Sequence, residues 1–237
     1  MNLHGDFEAE PLMAQVRANQ AKKAFTPPRG ITRHLAPEPV GVARPQHEIK
    51  LAVSRPLLMI GWKDPGPTPS ADHLRRELLM GQVQDVLFGR SSDFFQDLLD
   101  RGLVDDAVSF DYEVGPGYGF SYVGAEVDDP AAFQAAVEAT IARFQASGIP
   151  DDEFERARHK QIGDFLHALN SPEAIANQVT EVAFQDADYF AIPELITGLT
   201  RDEADALLRA HYDPARRAVS IVLPSGEPAP EGEPEVA

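Results

Sequence analysis

The sequence predicts an α+β fold, in which a mostly antiparallel sheet carries helices packed on one face. Some segments alternate apolar and polar residues as strands do, and others repeat apolar residues every three to four positions as helices do. The strand-like segments come in neighbouring pairs, whereas a parallel sheet would alternate strands with helices. The predicted order is strand, strand, helix, helix, strand, strand, three or four helices and a final strand.

The N-terminal region predicts a short strand at Asn2–His4 and a helix over Glu8–Lys23. Ala24–Arg44 is rich in proline and has no hydrophobic period, so we expect an extended linker there. Two strands are predicted after the linker, at His47–Ser54 and Pro56–Lys63.

The stretch LFGRSSDFFQDLLDRGL, residues 87–103, predicts a break between two helices. Ser70 is expected to cap the first helix, Ala71–Phe88, and Ser91 or Ser92 the second, because a serine hydroxyl accepts hydrogen bonds from the free N–H groups at a helix start. Gly102 is expected to end the second helix, since glycine readily adopts the left-handed backbone of a C-terminal cap.

Two aromatic-rich strands are predicted at Ala107–Val114 and Gly117–Glu126, joined by the turn Gly115-Pro116-Gly117. Aromatic residues that alternate along a strand are typical of sheet packing, and we expect that role here rather than a ligand platform. The residues concerned are Phe110, Tyr112, Tyr118, Phe120 and Tyr122.

The C-terminal half is predicted to be helical up to a closing strand at Ala218–Leu223. Proline at helix starts, glycine at a helix stop and a capping box mark the helix ends. The predicted helices run from Asp129-Pro130 to Gly148, through residues 149–170, onward from Ser171-Pro172, and from Thr200 with Glu203 to about His211. The acidic, proline-rich tail after Pro224 is expected to be disordered.

Composition excludes several classes of protein. The 237 residues contain no cysteine, which rules out disulfides and thiolate metal sites. The net charge of −17 argues against nucleic acid as a partner, and it favours either simple solubility or a basic peptide or partner surface. No apolar run approaches the roughly 18 to 20 residues of a membrane span, and the N-terminus lacks a secretory signal pattern. We therefore expect a cytoplasmic protein that does not associate with membranes.

Histidines are the remaining candidates for a metal site. His73 and Glu77 lie four residues apart on one helix but lack a third local ligand, so the alternative is a solvent-facing helix pair. His159 and His167 stand about 12 Å apart along their helix, too far to hold one ion, and are expected at the surface or half-buried. Neither H-E-x-x-H nor H-x-x-E-H occurs, so we expect no metal site and no catalytic residue in this chain.

Several segments together resemble a known family. The helix ADHLRRELLMGQVQDVLFG, the following SSDFFQDLLDRGLV and the strands AVSFDYEV and YGFSYVGAE resemble the C-terminal domain of the insulinase, pitrilysin and mitochondrial-processing-peptidase family, the inverzincin zinc metallopeptidases. The later DPAAFQAAVEATI and ITGLTRDEADALLRAHYDPARRAVSIVLPSG fit in the same order. The resemblance covers roughly residues 47 to 225.

This resemblance implies a clamshell of two related halves, each with the LuxS/MPP-like metallohydrolase fold. One half carries H-x-x-E-H and its zinc, and the other closes over the peptide. Because this chain lacks the motif, it resembles the non-zinc half, and zinc is expected only in a partner half. No other cofactor is expected.

Some non-zinc halves also carry an arginine and a tyrosine near the glycine-ended helix, and the corresponding positions here hold Leu99 and Asp105. Arg101 is the nearby candidate to replace them. Tyr118, Tyr122 and Trp62 could contact a peptide, although we expect all three in the core.

The opening segment resembles the last strand and final helix of a preceding related domain. The expected organisation is a remnant of that domain at 1–27, a proline-rich linker at 28–46, the peptidase-family C-terminal domain at 47–224 and a disordered acidic tail at 225–237.

Three functions are compatible with these expectations. The first is a non-catalytic domain that binds peptide, or pairs with a zinc-bearing half, a homologous subunit or a second copy of itself. The second is a structural or assembly module of the same fold. The third is an active hydrolase whose unrecognised metal site uses His73, Glu77 or His159, although we expect the isolated chain to be inactive.

Overall fold

The computed structural model describes residues 5–26, 34, 36, 38–66, 72–105 and 107–226, and within them it contains five strands and eight α-helices. The strands are β1 (Gln46–Leu51), β2 (Leu57–Lys63), β3 (Ser109–Gly115), β4 (Tyr118–Glu126) and β5 (Arg217–Pro224). The helices are α1 (Ala9–Ala21), α2 (His73–Phe88), α3 (Asp93–Asp100), α4 (Pro130–Ser147), α5 (Asp151–Ala168), α6 (Pro172–Ala183), α7 (Ile192–Thr197) and α8 (Arg201–His211).

The five strands form one sheet in the order β1-β5-β2-β4-β3. β1 and β5 are parallel, and the other three pairs of neighbours are antiparallel. The α+β prediction is therefore confirmed. The register places Met59 of β2 opposite Gly124 of β4, and Gly124 opposite Ser109 of β3.

One face of the sheet is buried against helices. Leu58, Ile60 and Trp62 of β2 and Val123 of β4 point to this face and are at most 3% exposed. They belong to one apolar core with residues of α2, α3, α4 and α8. Burying a large apolar side chain contributes about 1.5–3 kcal/mol, so this layer supplies much of the stability.

A second, smaller apolar cluster lies beside the first. It joins Leu74 at the start of α2 to Val182 of α6 and to Tyr189, Ile192 and Ile196 around α7. The short helix α7 was not predicted, because its six residues are too few to show a helical period and Pro193 occupies its first turn.

The opposite face of β2, β3 and β4 carries side chains that are exposed or half-exposed, apart from Gly124. We call this surface the open face. Its residues are Leu57, Met59, Gly61 and Lys63 of β2, Ser109, Asp111 and Glu113 of β3, and Phe120, Tyr122, Gly124 and Glu126 of β4.

Most predicted caps are confirmed. The Ser92 hydroxyl accepts from the N–H of Phe95 at the start of α3, and Gly102 follows that helix with φ of +64°. Thr200 and Glu203 form the predicted capping box of α8. Gly148 ends α4 with φ of +77°.

Several predictions lie outside the described residues: the strand at Asn2–His4, the cap at Ser70 and the tail from residue 227 onward. Among the residues that are described, no helix is both long enough and apolar enough to cross a membrane.

Candidate functional site

The open face is acidic and aromatic. Asp111, Glu113 and Glu126 are exposed on it, and the rings of Phe120 and Tyr122 lie half-buried along β4. Lys63, at the end of β2, is the cationic residue of the open face. The Lys63 ammonium group contacts the Glu38 carboxylate, and it contacts the Gly41 carbonyl oxygen at 3.3 Å. A sheet face that no helix covers and that is largely negative is suited to contact another molecule.

The structure separates the predicted peptide-contacting residues. Tyr118 is 41% exposed, so its prediction as a core residue was wrong, and its hydroxyl donates to Glu113 Oε1 at 3.1 Å. Tyr122 is half-buried on the open face rather than in the core, which also differs from the prediction. Trp62 is buried as predicted and packs edge-to-face on Tyr212.

Arg101 lies in the helical layer, just after α3, and not on the open face. Its guanidinium is paired with Asp97 Oδ2 at 2.8 Å, one helical turn earlier. Leu99 is partly buried against the core, and Asp105 pairs with Arg55. The structure therefore does not bring Arg101 together with Tyr118 and Tyr122.

The histidines in the described part of the chain do not assemble a metal site. His73 is only 4% exposed, so the solvent-facing interpretation of the His73 and Glu77 pair was wrong. Burial raises the pKa of Glu77, with the nearby carboxylates of Glu181 and Asp111 adding to that effect. His159 and His167 are exposed. Within the described residues, no three His, Asp or Glu side chains are grouped so that they could hold a metal ion.

A buried polar network lies between the sheet and helices α2 and α8, at the end of β2. Asp64, which follows β2, accepts from Arg76 Nη2 at 2.7 Å, from the Tyr112 hydroxyl at 2.6 Å and from His211 Nδ1 at 2.6 Å. The other ring nitrogen of His211, Nε2, lies 2.7 Å from the hydroxyl of Ser121.

Electrostatics assigns the protons in this network. Burial would raise the pKa of Asp64, but the hydrogen bonds from His211, Arg76 and Tyr112 outweigh it and lower the pKa well below its usual range. Burial also lowers the pKa of His211. The neutral imidazole therefore donates from Nδ1 to the ionised Asp64 and accepts at Nε2 from the Ser121 hydroxyl.

Ser121, His211 and Asp64 have the order of hydroxyl, imidazole and carboxylate found in hydrolytic triads. The hydroxyl and the imidazole are 0% exposed and Asp64 is 7% exposed, so a substrate carbonyl cannot reach Ser121 in this conformation. The network stabilises the end of the sheet by linking β2, β3 and β4 to α2 and α8.

Sequence reasoning missed this network because its members are separated by up to 147 residues. One local signal was present. Ser121 occupies the same strand face as Val123 and Ala125, so a polar side chain at that position had to find a partner in the core.

The family of the chain is decided by comparison of its sequence with known families. A family model described as the peptidase M16 inactive domain matches residues 2–161, which is more than half of the chain. The chain belongs to the peptidase M16 family. The predicted resemblance to the C-terminal half of these zinc peptidases is thereby confirmed.

Related proteins agree with this M16 assignment. The uncharacterized zinc protease YmfH of Bacillus subtilis is 33% identical over 221 residues, which are 93% of this chain and 51% of that protein. The structure of an M16-like peptidase from Alicyclobacillus acidocaldarius is 31% identical, with a TM-score of 0.86 over 92% of this chain and 52% of that one. The M16 chain thus spans about half the length of these relatives.

A more distant structure shows the same fold. The peptidase M16 inactive domain from Pseudomonas fluorescens is 15% identical, with a TM-score of 0.66 over 95% of this chain and 53% of that one. An M16 inactive domain is consistent with the missing H-x-x-E-H motif and with a non-catalytic role for this chain.

Proposed function

We propose that this chain is the non-catalytic half of an insulinase-like zinc peptidase. In this proposal it pairs with a zinc-bearing half, and its open face forms one wall of the chamber that holds the peptide. The observation that carries the proposal is the open face, where three strands of an inactive M16 domain present carboxylates and aromatic rings instead of a helical layer.

The chain's organisation supports pairing with a second half. We propose the division into a domain remnant at 1–27, a proline-rich linker at 28–46, the peptidase-family C-terminal domain at 47–224 and an acidic tail at 225–237. Helix α1, in the proposed remnant, buries none of its residues. The linker is held against the domain where Lys63 binds the carbonyl oxygen of Pro39 at 2.5 Å.

Zinc belongs to the partner half in this proposal. The described residues of this chain contain no group of His, Asp and Glu that fits the ion. No hydrolytic step is therefore assigned to this chain's own side chains, and we propose that it is inactive alone. Its contribution is to bind and orient the peptide by contacts across the open face.

We propose further that the pair works in the cytoplasm, which fits a chain without cysteine or disulfides. Two other partners are outcomes of the experiment below rather than parts of the proposal. One is a second copy of this chain, and the other is an unrelated protein in a structural assembly.

The proposal is tested by reconstitution. The chain is co-expressed with an M16 half from the same genome that carries H-x-x-E-H, and the purified material is analysed for mass, zinc and cleavage of a peptide library. We expect a one-to-one complex with one zinc ion and chelator-sensitive peptidase activity, and neither zinc nor activity in the chain alone. The control is the same complex with the motif glutamate changed to glutamine.

Two results would contradict the proposal. Stoichiometric zinc and chelator-sensitive cleavage in the isolated chain would restore the hypothesis of an active hydrolase. A stable complex with a second copy of this chain or with an unrelated protein, without any peptidase activity, would favour the assembly module.

A further inference from the structure

The open face contains a notch that the strand register explains. Met59, Gly124 and Ser109 form one row across β2, β4 and β3, and the central residue of this row has no side chain. A Cβ atom at Gly124 would lie 2.7 Å from the Leu58 carbonyl oxygen, so glycine is required there. The row therefore keeps a depression between a methionine and a serine.

The depression belongs to a cavity of about 310 Å³. This volume is at the lower end of the roughly 300–1,000 Å³ of small-molecule sites, and it is large enough for one long side chain. Leu57, Met59 and Ala107 supply apolar wall, and Arg55, Asp105 and Glu126 supply charge.

The charged groups at the notch carry a net negative charge. Arg55 binds Asp128 through Nε at 3.1 Å and Nη2 at 3.2 Å, and it also contacts Asp105 through Nη1. Asp105 and Glu126 both line the cavity, whereas Asp128 lies behind Arg55 and outside the lining. Because two carboxylates already neutralise the Arg55 guanidinium and Glu126 adds a further negative charge to the cavity wall, the site has an excess of negative charge, which favours a cationic ligand and disfavours an anionic one.

We infer that the notch binds a lysine or arginine side chain of the peptide held in the chamber. The aliphatic stem would lie along Leu57 and Met59, and its charged end would reach Glu126 and Asp105, in the way that long cationic side chains combine apolar and polar contacts. This inference rests on the proposed function, and it makes the non-zinc half a determinant of which peptides are selected.

The test measures binding of short extended peptides to the full 237-residue chain by calorimetry at low ionic strength. The peptides are identical except for a central lysine, arginine, norleucine or glutamate. We expect the lysine and arginine peptides to bind at least tenfold more tightly than the glutamate peptide, with norleucine between them.

Two variants locate the effect. Glu126→Gln is expected to weaken binding of the lysine peptide about three- to fivefold, as for one exposed ion pair. It is expected to leave the affinity for the norleucine peptide unchanged. Ser109→Trp fills the notch and is expected to weaken binding of both the lysine and the norleucine peptide at least tenfold. Glu113→Gln is the matched control, because it removes the same charge from the open face about 13 Å further along β3 than Ser109.

The outcomes are distinguishable. If all four peptides bind equally, or if Glu113→Gln acts as strongly as Glu126→Gln, the notch does not select cationic side chains although the chain binds peptide. If no peptide binds, both the inference and the peptide-binding part of the proposed function are wrong. Glu126→Gln keeps the test decisive if Ser109→Trp fails to fold.

Discussion

At the scale of single residues, one buried carboxylate organises the end of the sheet. Asp64 is ionised because three donors approach it, and each donor comes from a different element. An ionised group in a core is tolerated only when its hydrogen bonds are satisfied, so loss of one donor leaves a charge that water cannot reach. This makes the protonation state of its neighbour His211 a stability determinant.

We predict that His211 makes the chain less stable in mild acid. Because burial lowers the pKa of His211, the unfolded chain binds a proton near pH 6.5 that the folded chain does not bind. The contribution of His211 to the free energy of unfolding is therefore full above about pH 6.5, and it is lost progressively as the pH falls below that value. Urea denaturation should show a loss of about 1 kcal/mol from this group between pH 7.5 and 5.5.

His211→Gln should be less stable than the natural chain at pH 7.5, because the bonds to Asp64 and Ser121 are disturbed, yet it should lose this part of the pH dependence. His159→Gln is the control, since His159 is exposed on α5. An unchanged pH slope in His211→Gln would show that the imidazole is not held neutral.

The residue network could not be predicted from the sequence. Asp64, Tyr112, Ser121 and His211 carry no shared local motif, and they meet only because β2, β3, β4 and α8 are adjacent in the fold. The sequence did indicate candidate residues for peptide contact, but the fold places these residues in different parts of the molecule. Arg101 lies in the helical layer, and Tyr118 lies exposed at the start of β4.

At the scale of elements, features set by neighbouring residues were predictable. Ser92, Gly102 and the Thr200 and Glu203 capping box depend on contacts within four residues, and all are found as predicted. Helix α7 was missed because its stability comes from tertiary burial: Ile192 and Ile196 pack on Leu74 and Tyr189, from other elements.

Strand β4 supports a second prediction, because it passes very close to Asp64. A Cβ atom at Gly119 would lie 2.4 Å from Asp64 Oδ2, and the Gly119 carbonyl oxygen accepts from the Asp64 N–H at 2.8 Å. Gly119→Ala should therefore displace the buried carboxylate and destabilise the chain by about 1–3 kcal/mol in urea denaturation.

Gly163 of α5 provides the matched comparison, since a Cβ atom there meets nothing within 4 Å. Gly163→Ala should stabilise the chain by up to about 1 kcal/mol, because alanine is the better helix former. Equal effects of the two substitutions would mean that β4 can move away from Asp64 without cost.

At the scale of the whole molecule, the fold class and the family were predictable and the strand order was not. The hairpin of β3 and β4 is local, but β5 inserts between β1 and β2 after a separation of more than 150 residues. Alternation along a strand indicates which side chains share a face. It does not indicate which strands become neighbours.

The third prediction concerns the N-terminal segment. α1 buries none of its residues, and its ion pair, Arg17 with Glu10 at 3.9 Å, is internal to the helix. Deleting residues 1–26 should therefore change the free energy of unfolding by no more than about 0.5 kcal/mol. In the reconstituted complex the same deletion should weaken binding to the zinc-bearing half, as measured by co-elution at decreasing concentration.

A loss of several kcal/mol in the isolated truncated chain would contradict the proposed division at residue 27. So would an unchanged affinity for the zinc-bearing half, because α1 would then contribute nothing to pairing.

The hydrogen-bonded network of Ser121, His211 and Asp64 also bears on how serine hydrolases are recognised from structure. A buried carboxylate attracts an imidazole N–H, and the other imidazole nitrogen then requires a donor such as a hydroxyl. Satisfying the hydrogen bonds of a buried carboxylate can thus produce the interatomic spacing of a nucleophilic triad. Recognition of a triad from its distances must therefore also require solvent access to the hydroxyl, which is absent at Ser121 in this structure.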